Sequence, residues 1–247
     1  LPTRRQRQMC IRDRYGNAFV QDLQKENISF KGVSNKTDLP TGCCNILVSP
    51  DGERTMATHI GIGSQLNPDE VNEDILNSID HVYMESYLWD HELTKKTLKK
   101  FSDIAKSKNI EISLSLSDPF CVDRHRDELK NFITDNVDLV FCNFDEAKMF
   151  TQSDSMADVS SFFKNFGKKI VMTSGAEGAY YFFEDDVKHQ SAQKIENVLD
   201  TTGAGDNFAA GFLDFYLSGK PVDEALKNGN RKAEEVIQQL GPRIKRA

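Results

Sequence analysis

The sequence predicts an α/β protein whose core is a largely parallel sheet. Strand-like runs alternate with helix-like runs of about 10 to 15 residues, which is the pattern of βαβ units. The chain of 247 residues is long enough to bury one larger α/β core or two small ones. Its composition, with 38% hydrophobic and 28% charged residues, is typical of a globular protein. We also expect one antiparallel hairpin near the front of the chain.

The front of the chain combines a helix, this hairpin and a capped helix. Residues 15–30 carry apolar side chains on one helical face and end in extended chain. Residues 43–60 form two strand-like runs around Pro50-Asp51-Gly52, and Asp-Gly favours a tight turn because both residues tolerate positive φ values. Residues 67–79 begin with Asn67 as a cap, then proline and acidic residues, which is typical of a helix N-terminus.

From residue 81 onward strands and helices alternate. The sequence predicts, in chain order, a strand at 81–88, a helix at 94–109, a strand at 110–118, a helix at 126–136, a strand at 137–143, a helix at 156–167, a strand at 168–175, short strands within 178–199, and an apolar helix at 207–220 that ends at Gly219. This order favours one parallel sheet with helices between its strands.

Charge and hydropathy exclude several classes of protein. The net charge is −7, but residues 1–14 carry five Arg and one Asp, so the remainder is more acidic still. This basic stretch has no interleaved aromatic residues and no amphipathic period, so we expect no nucleic-acid and no membrane partner. We predict that residues 1–14 are a non-native or disordered tail. The sequence has no run of about 18 apolar residues and no apolar signal core, so the cytoplasm is the expected location.

Cysteine and histidine usage argues against a structural metal or a disulfide framework. The five cysteines, Cys10, Cys43, Cys44, Cys121 and Cys142, form no C-x-x-C pair, and the five histidines are scattered. We therefore expect buried or half-buried thiols in a reducing compartment.

Residues 197–212, NVLDTTGAGDNFAAGF, place one carboxylate inside a turn of small residues at the start of an apolar helix. In open α/β sheets, helix N-termini direct free N–H groups outward, and Gly203, Ala204 and Gly205 would let an anion approach those groups closely. Asp206 would repel an anion that merely binds there. Its presence is explained if the carboxylate takes a proton from a hydroxyl group that then attacks phosphorus.

Other interpretations of this turn differ in what they require of the sequence. A dinucleotide-binding loop needs a third glycine where Phe208 stands, and a Walker loop needs a G-K-[ST] segment that does not follow. A third interpretation, in which the glycines serve packing and Asp206 only complements the helix dipole, is compatible with the motif taken by itself.

The segment DTTGAGDNFAAGFL resembles, position by position, the C-terminal signature of the PfkB or ribokinase family of carbohydrate and nucleoside kinases. The resemblance extends from about Gly16 to the end of the chain. It implies a ribokinase-like three-layer α/β/α sandwich with a mostly parallel sheet and a small β lid. It also implies that Asp206 is the catalytic base and that Gly203, Ala204 and Gly205 form the anion hole.

The resemblance further implies ATP and two kinds of cation as cofactors. Asn143 and Glu146 match the N-x-x-E motif of the family, which organises Mg²⁺ and the ATP phosphates largely through water, as suits a hard cation that keeps most of its hydration shell. Without its place after a strand, N-x-x-E would carry no meaning. Asp200 and Thr202 match positions near a monovalent cation, so K⁺ is a candidate ligand.

Two further segments resemble the part of the family that binds the nucleotide. VMTSGAEGAYYF is similar to the strand and turn on the nucleotide side, with Thr173, Gly175 and Gly178 near the ATP, although a plain hairpin turn would read the same. NGNRKAEEVIQQLGP, residues 228–242, is similar to the last long helix, which borders the adenine, and Asn230 is its best candidate for a contact.

The acceptor of the phosphate is open at this point. Residues 38–56 resemble the lid of the family, and residues 86–90 and 117–129 look most like bacterial adenosine kinases or general sugar kinases. Tyr87 and Trp89 could stack on a purine, or could belong to the core or rim. The first hypothesis is therefore a nucleoside kinase of the adenosine kinase type, and the second a sugar kinase of the fructokinase or ribokinase type.

A third hypothesis follows from the front of the chain. Kinases of this family begin with a strand that carries a substrate-binding Asp, followed by a Gly-Gly segment and an Asn that hold the acceptor hydroxyls, and the matching chain starts after that region. We expect residues 15–247 to be an incomplete kinase domain with a lid hairpin at about 37–62, through which a homodimer could form. The third hypothesis is thus a nucleotide-binding fragment that is catalytically incomplete.

Overall fold

The computed structural model describes residues 6–7, 13–30, 38–49, 54–71 and 73–244. The chain divides into two units. The first consists of Leu1–Asn45 and Met56–Ile112, and the second of Ile46–Thr55 and Ser113–Ala247. The residues from Asn143 to Asn230 that the sequence analysis assigns to catalysis, ATP or a cation belong to the second unit.

The helices and strands alternate as the sequence predicts. In chain order they are β1 (Gln6–Arg7), α1 (Arg14–Lys25), β2 (Ser29–Phe30), β3 (Cys43–Val48), β4 (Arg54–His59), β5 (His81–Glu85), α2 (Glu92–Ser107), β6 (Glu111–Ser115), α3 (Pro119–Asn136), β7 (Leu139–Asn143), α4 (Phe144–Thr151), α5 (Met156–Asn165), β8 (Lys169–Thr173), β9 (Ala179–Phe183), β10 (Asp186–Gln190), α6 (Ala204–Tyr216) and α7 (Val222–Val236).

The main sheet has six strands in the order β10-β9-β8-β7-β6-β5. Strands β6, β7 and β8 are parallel, and β9 and β10 extend the sheet in antiparallel pairs. In the parallel register, Asn143 at the end of β7 lies opposite Thr173 at the end of β8. Two-stranded sheets form from β1 with β2 and from β3 with β4. The carboxyl ends of β7 and β8, where ligands bind in such sheets, therefore lie side by side.

In the second unit, helices cover both faces of the sheet. Phe141 of β7 meets Phe212 of α6 edge to face, with ring centroids 5.6 Å apart, in a buried cluster that also contains Tyr181. The next residue of β9, Phe182, packs on Phe163 of α5 with centroids 5.7 Å apart. Because successive side chains of a strand point to opposite faces, this unit has a helix, sheet and helix layer. The α/β class and the three-layer arrangement are confirmed.

Residues 67–79 and the end of the segment 178–199 differ from the prediction. Residues 67–79 form two 3₁₀ turns, Pro68–Glu70 and Glu73–Ser78, instead of one helix, because the backbone of Val71 is extended and ends the first turn. Asn67 does cap the first turn, since its side chain accepts a hydrogen bond from the amide of Asp69. The predicted strands within 178–199 end at Gln190, and the chain beyond it is irregular.

Some predictions fall wholly or partly on residues outside the described ranges. The turn Pro50-Asp51-Gly52 lies outside them, although β3 and β4 on either side pair as expected. Cys10 and most of the predicted tail at 1–14 lie outside them too, whereas Asp13 caps α1 by accepting hydrogen bonds from the amides of Tyr15 and Gly16. The homodimer through the lid stays a prediction.

Two features are absent from the described ranges, a membrane-spanning helix and a cluster of metal-binding side chains. Within those ranges, no helix is both long and apolar enough to cross a membrane. In the same part of the chain, no group of three or more His, Cys, Asp or Glu side chains is placed to hold a metal ion. Cys43 and Cys44 are exposed thiols, and Cys121 and Cys142 are buried ones.

Candidate active site

The start of α6 forms a turn, residues 200–206, that we call the anion turn. Gly203 precedes the helix with a φ of +78°, a left-handed conformation that glycine adopts without strain. The amides of Gly205 and Asp206 lie in the first helical turn, where no intrahelical acceptor exists, and none of the described hydrogen bonds uses them. A Cβ built on Gly205 would meet no atom within 4 Å. The turn therefore presents N–H groups to open space, as an anion requires.

Asp206 is exposed in the first turn of α6, beside these amides. Among the described residues, no hydrogen bond or ion pair occupies its carboxylate. The carboxylate is thus able to accept a proton from a ligand held at the turn, which is the first requirement of a general base.

Asp200 is the first residue of the anion turn. Its carboxylate is almost fully buried and accepts hydrogen bonds from the amides of Thr202 and Gly241, each at 2.8 Å. Burial acts most strongly and favours the neutral form, but the hydrogen bonds from Thr202 and Gly241, together with the positive charge of Arg54, outweigh it, so the pKa of Asp200 lies below its usual value. Thr202 is also buried. Both residues sit where the family resemblance expects a monovalent cation, which stays a prediction.

Arg54 also contacts the anion turn, although the sequence predicted no role for this residue. It begins β4, and its Nη1 donates a hydrogen bond of 2.6 Å to Oγ1 of Thr201 in the anion turn. A guanidinium here adds positive charge to the anion turn, at Thr201 and Asp200. The signal in the sequence was a lone arginine just after the Asp-Gly turn of the lid hairpin, and the sequence alone could not show that this arginine meets Thr201, 147 residues later.

Asn143 and Glu146 form a reciprocal cap at the start of α4. The Asn143 side chain accepts a hydrogen bond of 2.8 Å from the amide of Glu146, while the Glu146 carboxylate accepts from the amide of Asn143 at 3.0 Å and from its Nδ2 at 2.7 Å. Glu146 is only 5% exposed, and burial raises the pKa of its carboxyl to about 7, helped by the negative charges of Asp118 and Asp145. Each carboxylate oxygen keeps a further lone pair for water, which fits a hydrated Mg²⁺.

The predicted nucleotide turn lies directly beside this cap. Thr173 is the neighbour of Asn143 across β7 and β8, and the turn that follows has positive φ values at Gly175 (+53°) and Gly178 (+99°). A Cβ on Gly178 would lie 2.1 Å from the carbonyl oxygen of Gln190, so only glycine fits there.

Asn230 of α7 joins the same region from the helix side. It is buried, and its Nδ2 donates a hydrogen bond of 2.8 Å to the carbonyl oxygen of Gln190, the residue against which Gly178 packs. That bond uses one of the two N–H groups of Nδ2, so the other N–H and the side-chain carbonyl oxygen are left for a base. The Nδ2 of Asn228 in α7 donates a hydrogen bond of 2.7 Å to the carbonyl oxygen of Gly211 in α6. Helix α7 thus links the nucleotide turn to the helix that carries the anion turn.

The aromatic residues considered for stacking on a purine lie in the first unit. Trp89 is fully buried and is therefore a core residue, whereas Tyr87 is 44% exposed. Of the two interpretations of Trp89, the structure supports the core residue, because a fully buried ring offers no face to a ligand.

The chain is similar to kinases of known structure. A family model described as pfkB family carbohydrate kinase matches residues 12–246. The adenosine kinase from Sinorhizobium meliloti is 33% identical with a TM-score of 0.92, over 98% of this chain and 75% of that one. A probable sugar kinase from Rhizobium etli is 34% identical with a TM-score of 0.90, over 96% and 72% of the two chains. An Escherichia coli protein described as a ribokinase II, crystallised with ATP and Mg²⁺, shares the fold alone: it is 20% identical with a TM-score of 0.87, over 98% and 79%.

Proposed function

The chain belongs to the pfkB family of carbohydrate kinases, and on this premise we propose that it transfers the γ-phosphate of ATP to a hydroxyl group of a nucleoside such as adenosine. The observation that carries the proposal is the anion turn, where a carboxylate without a partner among the described residues stands next to outward-facing amides. A site that only bound phosphate would be weakened by this carboxylate, whereas a phosphoryl transfer to an alcohol uses both groups.

The steps of the reaction follow from these positions. Asp206 accepts the proton of the acceptor hydroxyl, and the resulting oxygen forms a bond to the γ-phosphorus while the bond to the β-phosphate oxygen breaks and ADP leaves. The amides of Gly205 and Asp206, together with Arg54, stabilise the negative charge on the phosphoryl group during transfer. Bound Mg²⁺ would neutralise charge on the ATP phosphates. Asn143 and Glu146 would hold its water ligands, and the turn Thr173–Gly178 would lie along the phosphates.

The acceptor is the finer part of the proposal. Similarity to the adenosine kinase of Sinorhizobium meliloti over 98% of this chain supports a nucleoside. Similarity at nearly the same identity to the probable sugar kinase of Rhizobium etli supports a sugar as the second candidate. The chain spans about three quarters of each of these structures, and a nucleotide-binding protein without transfer activity is the third candidate.

The test combines a panel of acceptors with one substitution. Purified chain is incubated with Mg·ATP and adenosine, cytidine, ribose or fructose, and phosphorylated product is measured by mass spectrometry. We expect Asp206→Asn to slow phosphorylation of the best acceptor by about 10² to 10⁴, because the general base is lost, and to leave the affinity for ATP within a factor of about three. Asp214→Asn removes an exposed carboxylate from the same helix and is the matched control.

Each outcome decides between the candidates. Product from adenosine but not from sugars supports the nucleoside kinase, and the reverse supports the sugar kinase. Binding of ATP without product from any acceptor supports the third candidate. Equal turnover of wild type and Asp206→Asn would remove Asp206 from the role of base.

A further inference from the structure

The amide side chain of Asn207 joins the anion turn to the end of the chain. Its Nδ2 carries two N–H groups, and both are used: one donates to the carbonyl oxygen of Gly203 at 2.8 Å and the other to that of Pro242 at 2.9 Å. Gly203 has the left-handed backbone that precedes the free amides of the turn, and Pro242 lies 39 residues after Gly203 in the sequence. One side chain therefore fixes the position of two separate backbone segments.

Residues 239–243 form a second turn, which we call the C-terminal turn. The Nε2 of Gln239 donates to the carbonyl oxygen of Arg243 at 2.6 Å, and Gly241 adopts a φ of +92°. The amide of Gly241 donates to the buried carboxylate of Asp200. The C-terminal turn is thus bonded to both ends of the anion turn, at Asp200 and through Asn207.

The two turns also touch directly. A Cβ placed on Gly203 would lie 2.7 Å from the Cβ of Pro242 and 2.9 Å from its carbonyl oxygen. The backbone of Gly203 therefore packs against Pro242 with no space to spare. Upstream, the amides of Leu199 and Asp200 donate to the carbonyl oxygen of Ile237 at 2.8 and 3.3 Å, so the approach to the anion turn is held by the same end of the chain.

We infer that Asn207 is a positioning residue, which uses the C-terminal turn as a brace to hold the anion turn in the conformation that binds the γ-phosphate. The inference rests on the proposed function, because it assumes that the anion turn receives a phosphate of ATP. Asn207 does not touch the substrate in this account. It acts by keeping Gly203 left-handed and the amides of Gly205 and Asp206 aimed at one point, and preorganised donors are the ones that stabilise a transferring group.

Three substitutions of Asn207 separate the brace from other roles. Asn207→Ala removes both hydrogen bonds. Asn207→Ser keeps a donor for the carbonyl oxygen four residues earlier, that of Gly203, but is too short to reach Pro242. Asn207→Leu keeps the volume and donates nothing. Asp214→Asn on the same helix is the control, and a chain that ends at Gln238 removes the C-terminal turn altogether.

The readout is the affinity for Mg·ATP measured by calorimetry, with melting temperature and the KM values for ATP and acceptor alongside. We expect Ala, Ser and Leu at position 207 each to weaken ATP binding about tenfold and to raise the KM for ATP without changing that for the acceptor. In the chain that ends at Gln238, Asn207→Ser should add no further loss, because its missing partner is already absent. A merely structural role would lower the melting temperature and leave the affinity of the folded protein unchanged.

The outcomes distinguish this inference from the proposed function. Wild-type affinity in Asn207→Ser, or a full additional loss in the shortened chain, overturns the brace. A wild type that binds ATP but phosphorylates no acceptor overturns the proposed kinase activity, and the same titrations still test the brace. A wild type that binds no ATP overturns both.

Discussion

Gly203 and Gly205 allow the same added methyl group to be tested at two positions with opposite consequences. At Gly203 a Cβ costs about 1–2 kcal/mol for the left-handed backbone, and its contact with Pro242 adds a similar amount unless the C-terminal turn moves away. We expect Gly203→Ala to lower the free energy of unfolding by about 2–4 kcal/mol. At Gly205 the methyl meets no atom, and alanine is the better helix former, so Gly205→Ala should leave the free energy unchanged or raise it by about 0.5 kcal/mol.

Binding should follow a different order. The open space above Gly205 is the space that the proposed function gives to a phosphate, so a methyl group there should weaken Mg·ATP binding at least about tenfold although the protein is no less stable. Urea unfolding without nucleotide gives the free energy, and calorimetry with Mg·ATP gives the affinity. A variant that is stable but binds poorly cannot be explained by damage to the fold.

Two results would refute this reasoning. If Gly205→Ala binds ATP as the wild type does, the phosphate does not lie against this helix N-terminus. If Gly203→Ala is as stable as the wild type, the C-terminal turn yields to the methyl group and cannot serve as a brace.

The other predictions concern the two charged residues at the edges of the site. Burial gives the Glu146 carboxyl a pKa of about 7 against an ordinary 4.5, so the stability that the neutral form provides is present below about pH 4.5 and is lost as the pH rises through 7. Glu146→Gln should therefore raise the free energy of unfolding at pH 8 by about 2–3 kcal/mol and change it little at pH 4, as urea unfolding at both values will show. The same variant should need more Mg²⁺ for half-maximal ATP binding, and an unchanged Mg²⁺ titration would reduce Asn143 and Glu146 to a helix cap. Arg54→Ala should lower kcat at least about tenfold, with Arg54→Lys between it and the wild type, and equal kcat values for all three would leave Arg54 without a part in transfer.

The sequence was most informative where the pattern is local. Strands β7 and β8 were found because parallel strands buried on both faces read as continuous apolar runs. Helix α3 was predicted from residue 126 but begins at Pro119, and a non-helical φ of −125° at His125 interrupts its periodicity there. The signals for the true start, Asp118 as cap and a proline at the first helical position, were present but fall before that interruption. A kink therefore hides part of a helix from an analysis of periodicity, whereas the capping residues still mark where the helix begins.

The residues of the candidate site likewise divide into those that a local sequence pattern indicates and those that it does not. The anion turn, the cap at Asn143 and the nucleotide turn are each a short contiguous motif, so the sequence could locate them. Arg54, Asn207 and the C-terminal turn make hydrogen bonds to residues far along the chain. No local pattern reveals such contacts, because the fold alone determines which loops meet.

The reciprocal cap at Asn143 and Glu146 shows why a structural and a functional interpretation of one motif are compatible. As a cap alone, glutamine in place of Glu146 would serve nearly as well, since a neutral side chain can also bond the helix N-terminus. The buried carboxylate instead costs stability at neutral pH, because its pKa is raised to about 7. A nearby cation would favour the charged form of Glu146 and would offset that cost. An ionisable side chain at this position is therefore expected where a positively charged ligand binds. The cap fixes the direction of the carboxylate, and the charge, which the cap does not need, is what a hydrated Mg²⁺ would use.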